Sequence, residues 1–177
     1  MKKIVALLLA MVITAALLAG GTAAYASVYI PVTPNITVEF DGAAVSKNLS
    51  APNALWEPGF STYTNIRIDG DSDFNWSLTF ADGDNTEILP NVIDVYWAPT
   101  AEVKGMTRSE AMAEMKHLGT LKELLNGQAT LTGNSDTGLE QNITIALKMR
   151  ESAGNDYQGK TAQFSFTVTV SAKTGSN

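Results

Sequence analysis

Phe74-Asn75-Trp76-Ser77-Leu78-Thr79-Phe80 decides how this chain is read. Large apolar side chains fall on every second residue, with polar ones between them, which is the period of a strand with one buried face. The alternation returns twice. Ile143, Ile145, Leu147 and Met149 alternate with Asn142, Thr144, Ala146 and Lys148. Ala162, Phe164, Phe166, Val168 and Val170 alternate with Gln163, Ser165, Thr167 and Thr169. Each run predicts an antiparallel strand with a wet outer face.

Weaker strands lie between these runs. Ile36 to Phe40 is β-branched and aromatic, and Thr62 to Asp69 sets Ile66 and Ile68 against Arg67 and Asp69. Val92 to Trp97 is apolar on both faces, which predicts burial on both sides. Asp41-Gly42, Pro58-Gly59, Asp69-Gly70, Asp82-Gly83, Asn126-Gly127 and Gly154-Asn155 supply the turn chemistry that separates the runs.

One stretch, about 107–126, reads as helical. Thr107-Arg108-Ser109-Glu110 is a capping box, in which a hydroxyl and a carboxylate satisfy the free N–H groups of a helix start. Ala111, Met112, Met115 and Leu118 follow at helical spacing, with Gly119 as a stop and His117 near the helix end. Thr120-Leu121-Lys122-Glu123 is a second capping box, opening a short helix that Leu121, Leu124 and Leu125 would pack down before Asn126-Gly127. Strands on either side of a helical insertion predict an all-β fold: an antiparallel β-sandwich over residues 35–172, with a frayed tail at 173–177.

Composition narrows the chemistry. The chain has 177 residues, 12 basic, 18 acidic, one histidine and no cysteine. A net charge of −6 argues against nucleic acid as a partner, since phosphates need clustered Lys and Arg. Without cysteine there is no disulfide scaffold, thiolate metal site or thiol nucleophile. A single histidine excludes an HExxH protease.

The first 26 residues differ from the rest. Lys2 and Lys3 precede an apolar run from Ile4 to Leu18 and then a small-residue stretch, which is the layout of a secretory signal. The run is shorter than the ~20 residues a spanning helix needs, so no stable membrane span is expected after cleavage. The cut falls after Ala24 or after Ala26, and it removes two lysines and no acid. Residues 27–34 then form an extended arm, Ser27-Val28-Tyr29-Ile30-Pro31-Val32-Thr33-Pro34. Its prolines confine it to an edge or to non-sheet roles. It is either an edge strand of its own domain or an arm that completes a neighbour's sheet. In the second case monomers join head to tail into a filament, through Val28, Tyr29, Ile30 and Val32.

Four stretches resemble the TasA/camelysin family of exported bacterial matrix proteins. Gly20-Gly21-Thr22-Ala23-Ala24-Tyr25 is similar to signals cut by the family's SipW-type peptidase. Leu55-Trp56-Glu57-Pro58-Gly59 resembles the family's turn before a strand, and Phe74 to Leu78 falls where its next strand begins. Gly154-Asn155-Asp156-Tyr157-Gln158-Gly159-Lys160, leading into Phe164-Ser165-Phe166, resembles its N-x-Y-Q-G turn and last strand. The resemblance implies a jelly-roll sandwich with helical insertions, and fibres in which one subunit's N-terminal arm completes the next subunit's sheet. It implies self-association and a SipW-like signal peptidase as partners, an extracellular matrix or cell-surface location, and no cofactor. Pro31 has no N–H to donate, so strand pairing by this arm is interrupted there.

Other chemistry finds less support. The family is also associated with metalloprotease activity, but zinc hydrolysis needs about three protein ligands and His117 is the one histidine. Asp69, Asp71 and Asp73 are spaced like the start of a calcium loop, with Asp82 and Asp84 further on, yet Phe74 and Phe80 stand where that loop needs Gly and Glu. A solvated turn is the simpler reading. There is no G-x-S-x-G turn. Trp56, Trp76 and Trp97 offer either a sugar platform or core packing, and the alternating face of Trp76 favours core. The sequence thus points to a secreted, non-enzymatic structural subunit; the alternative is a monomeric surface module binding carbohydrate or protein.

Overall fold

The computed structural model describes residues 36–41, 43, 45–50, 56–82, 89–135, 140–157, 160, 162 and 164–173. The signal, the arm 27–34 and the last four residues of the tail lie outside them. Among the described residues nine strands form two sheets. They are β1 (Ile36–Phe40), β2 (Val45–Ser50), β3 (Ser61–Gly70), β4 (Phe74–Asp82), β5 (Ile93–Pro99), β6 (Lys116–Thr120), β7 (Leu131–Ser135), β8 (Gln141–Met149) and β9 (Phe164–Ala172). The first sheet runs β1-β3-β8-β5-β6 and the second β2-β9-β4-β7. All pairings are antiparallel except one, because β1 lies parallel to β3, with Ile36 opposite Ile66. The antiparallel expectation fails there because β1 reaches the edge of the first sheet without a hairpin to β3.

The other eight strands follow one rule. β5 pairs with β6, β4 with β7, β3 with β8 and β2 with β9. These are the nested rungs of one long hairpin. Two further pairings, β4 with β9 and β5 with β8, join the rungs into sheets.

The sheets share one core, and the predicted alternation builds it. Phe74, Trp76, Leu78, Phe80, Phe164, Phe166, Val168 and Val170 from the second sheet meet Ile66, Ile68, Ile93, Val95, Ile143, Ile145, Leu147 and Met149 from the first. Each large aliphatic or aromatic chain so buried contributes roughly 1.5–3 kcal/mol. Trp76 and Trp56 are both core residues, at 6% and 1% exposure, so neither serves a sugar platform. Gly133 faces Trp76 across β4 and β7, and a Cβ there would lie 2.5 Å from the indole. The ring occupies the space that the glycine leaves.

The middle of the first sheet is buried on its other face as well. Tyr63, Ala98 and Ala146 pack there with Val103 of α1 (Thr100–Val103), Ala111 of α2 (Arg108–Glu114) and Met115 at the end of α2. The apolar character of β5 on both faces is thereby explained. The wet outer face predicted for the 143–149 strand is not: Thr144 and Ala146 are fully buried under this layer. Thr144 donates to Asn65 at 2.7 Å and shares a 3.0 Å hydroxyl–hydroxyl bond with Thr100, so its burial leaves no hydroxyl unsatisfied. Arg108 fastens α2 to β3. It donates to the Ser61 carbonyl at 3.1 Å, accepts from the Tyr63 hydroxyl through its own carbonyl at 2.9 Å, and stacks its guanidinium over the Tyr63 ring.

Both capping boxes form, at Thr107 with Glu110 and at Thr120 with Glu123. The helix between them is shorter than its apolar spacing predicts. It ends at Glu114, and Lys116–Thr120 is the edge strand β6. Pairing with β5 wins over continued helix there. Thr120 must also be extended, at ψ 153°, to cap α3 (Leu121–Leu125). Leu118 is the extra residue of a bulge opposite Val95 and Tyr96, and it leans on the core. Gly119, at φ +142°, takes a conformation that side chains resist, and a Cβ there would crowd the Glu123 carboxylate at 2.9 Å. Leu121 and Leu124 of α3 enter the main core.

Candidate functional site

The arm residues Val28, Tyr29, Ile30 and Val32 lie outside the described residues. The strand they lead into does not. β1 holds the outer position of the first sheet, so one side of its backbone is unpaired with any described strand. Such an edge is a template for another chain. The remaining edges are β6, β2 and β7. β6 is blunted by its bulge and by Lys116.

Carboxylates gather where β1 and β3 end. Glu39 faces Asp69 across the parallel pair, and with Asp41 and Asp71 they line a surface hollow of about 240 Å³. Arg67 offsets part of this charge, holding Asp69 at 2.7 Å and Glu140 at 2.8 Å. Asp73 is exposed, and its carbonyl accepts from the Lys173 amide at 3.0 Å. Of the three aspartates spaced like a calcium loop, Asp69 is thus committed to Arg67. Among the described residues no group of three or more His, Asp or Glu is placed to hold a metal ion.

A second cluster joins distant parts of the chain. Asp94 on β5 has a side chain only 13% exposed. Arg150, just beyond β8, grips it with two bonds, Nε to Oδ2 at 2.9 Å and Nη2 to Oδ1 at 2.7 Å. His117 Nε2 lies 3.3 Å from the same Oδ1. Burial works to raise the Asp94 carboxyl, but the hydrogen bonds from Arg150 and His117 outweigh it and hold the group below the ordinary carboxylate range. His117 stands on the edge strand β6, not at a helix end as its sequence context suggests, and its ring lies beside Tyr96 with centroids 5.0 Å apart. With the guanidinium fork on both of its oxygens, Asp94 works as a tie between β5, β6 and the end of β8 rather than as a base. Lys116 lies over the Trp97 ring, the least buried of the three indoles.

Period-two patterning reveals neither cluster, because each depends on strand register. The small residues Thr144 and Ala146 among large ones were the available signal that the outer face of β8 is covered. Compared with protein-family models and with curated proteins, the chain matches none. Among the described residues no helix is long and apolar enough to cross a membrane.

Proposed function

We propose that this chain is a secreted structural subunit of extracellular matrix fibres, of the kind its resemblance to the TasA/camelysin family implies. Its body is an eight-strand jelly roll, and Ser27 to Val32 is the arm that adds to a neighbour's sheet. The nested pairing of β2 with β9, β3 with β8, β4 with β7 and β5 with β6 supports the jelly roll, since it is the order produced by rolling up one long hairpin.

The observation that carries the assembly reading is the position of β1. It stands outside that hairpin, makes the single parallel pairing among the described residues, and sits at a sheet edge directly after the arm in sequence. An arm continuing from such a strand leaves along an edge, where backbone N–H and C=O groups are available to a second copy. Val28, Ile30 and Val32 supply the apolar burial, and the different donor and acceptor surfaces make the contact open-ended. Export by a SipW-like signal peptidase frees the arm. Electron microscopy of the exported protein tests the reading. Filaments are expected from the chain beginning at Tyr25 or Ser27, and none from a chain beginning at Asn35. Filaments of the same number and length without residues 27–34 would overturn it.

A further inference from the structure

We propose that the outer face of the second sheet binds an uncharged polysaccharide, laid in a trough that crosses β7, β4 and β9. The proposal does not rest on fibre formation, because a single subunit presents the whole trough.

The trough measures about 500 Å³ and is lined by Asn75, Ser77, Thr132, Asn134, Thr169 and Ser171, with Trp76 and Gly133 between them. Strand register arranges the six polar residues in two rows. Asn134, Asn75 and Ser171 form one row, and Thr132, Ser77 and Thr169 form the other. Neighbours within a row are one strand spacing apart, about 4.8 Å, and the rows are two residues apart, about 6.7 Å. The pattern continues along β4 and β9 with Thr79 opposite Thr167 and Ala81 opposite Ser165.

Three features point to the ligand. First, among the described residues none of the six side chains is engaged in a hydrogen bond or ion pair. Their donors and acceptors are free for a partner, whereas Asp94, Arg67 and Thr144 of the first sheet are all committed. Second, the ten outward positions of β4, β7 and β9 carry no charge, on a chain with 18 acidic residues. An anionic polymer meets repulsion from the rest of the molecule and no cation here, while hydroxyls and amides match a neutral polyol, donor to acceptor and acceptor to donor. Third, the surface is hollow. Two copies meeting about a two-fold axis would set hollow against hollow and leave the space unfilled, whereas an extended chain of sugar rings fills it. The Trp76 ring is turned into the core, so attachment comes from hydrogen bonds exchanged with water. Each contact is therefore weak, and a polymer gains by engaging many subunits or many repeats.

Native affinity electrophoresis of the exported protein tests this, in gels cast with dextran, hydroxyethylcellulose, guar galactomannan or polygalacturonate. At least one neutral polymer is expected to retard the protein, and polygalacturonate is not. Asn75→Ala and Asn134→Ala should each weaken retardation roughly fivefold per hydrogen bond lost. Thr169→Asp should abolish it with the melting temperature unchanged. Glu102→Gln, on the helical layer of the other sheet, should leave it intact. The proposal is overturned if no neutral polymer retards the protein, if polygalacturonate retards it equally, or if the trough variants bind as the parent does. It is also overturned if those variants change sedimentation without any polysaccharide, which would make the face a contact between copies.

Discussion

The two sheets of this protein are built from the same alternation and end in opposite surroundings. The first is buried against the core on one side and, over the middle of its other side, under α1 and α2. Its outward polar groups are consumed in ties: Asn65–Thr144–Thr100, Arg67–Asp69, and Asp94 with Arg150 and His117. In the second sheet the inner residues of β4 from Phe74 to Phe80 and of β9 from Phe164 to Val170 are buried, and the outward residues of β4, β7 and β9 are uncharged Ser, Thr, Asn and Ala, each exposed or half-buried. Side-chain ties are concentrated in the first, and exposed uncharged surface in the second. An antiparallel sheet tolerates either arrangement; what differs is whether the outward residues are covered and tied together, as Thr144 is, or exposed and uncharged, as Asn75, Asn134 and Thr169 are.

Substitutions on the two outer faces should therefore differ sharply. The largest effect is expected from Ala146→Asp, which buries an unpaired carboxylate among Tyr63, Ala98, Val103, Ala111 and Met115. It should cost about 4 kcal/mol or more, read as loss of the folded baseline in chemical denaturation. Leu78→Ala, on the shared inner face and fully buried, should cost about 3 kcal/mol by the same measurement. An equal loss from Ile145→Ala would show that the sheets are alike where they meet.

Asp94→Asn removes a charged tie from the first sheet and should cost about 2 kcal/mol at neutral pH. The folded carboxyl lies below its reference value of 3.8, so its contribution is complete above that pH and lost as pH falls through the folded value. The difference between parent and variant should accordingly close in acid, as denaturation at several pH values would reveal. Thr120→Ala strips the cap of α3 and should cost about 1 kcal/mol. The smallest effect, within about 0.5 kcal/mol, is expected from Thr169→Asp on the bare face. A large loss there would erase the contrast between the sheets.

Legibility in the sequence divided between local patterns and contacts made at a distance, in both sheets alike. β4, β8 and β9 alternate cleanly, and the sequence reading places them within a residue or two. β2 and β7 escaped it, because Val45 and Leu49 alone, or Leu131 beside Gly133, give too few apolar beats to mark a strand. The capping boxes were legible because they are local. The helix end was not, since β6 owes its form to pairing with β5. The parallel placement of β1, the cover over Thr144 and Ala146, and the meeting of Asp94 with His117 and Arg150 all arise from contacts between residues far apart in sequence. By contrast, the uncharged outer row of β9 could be read directly as Ser165, Thr167, Thr169 and Ser171.

The central claim is that Ser27 to Val32 pairs with the sheet of another copy. A synthetic peptide spanning Ser27 to Pro34 tests it most directly, added in excess to the chain beginning at Tyr25 under the conditions in which filaments are sought. Strand addition predicts filaments that shorten with peptide dose, and no effect from a scrambled peptide of the same composition. Filaments of unchanged length at saturating peptide would contradict it.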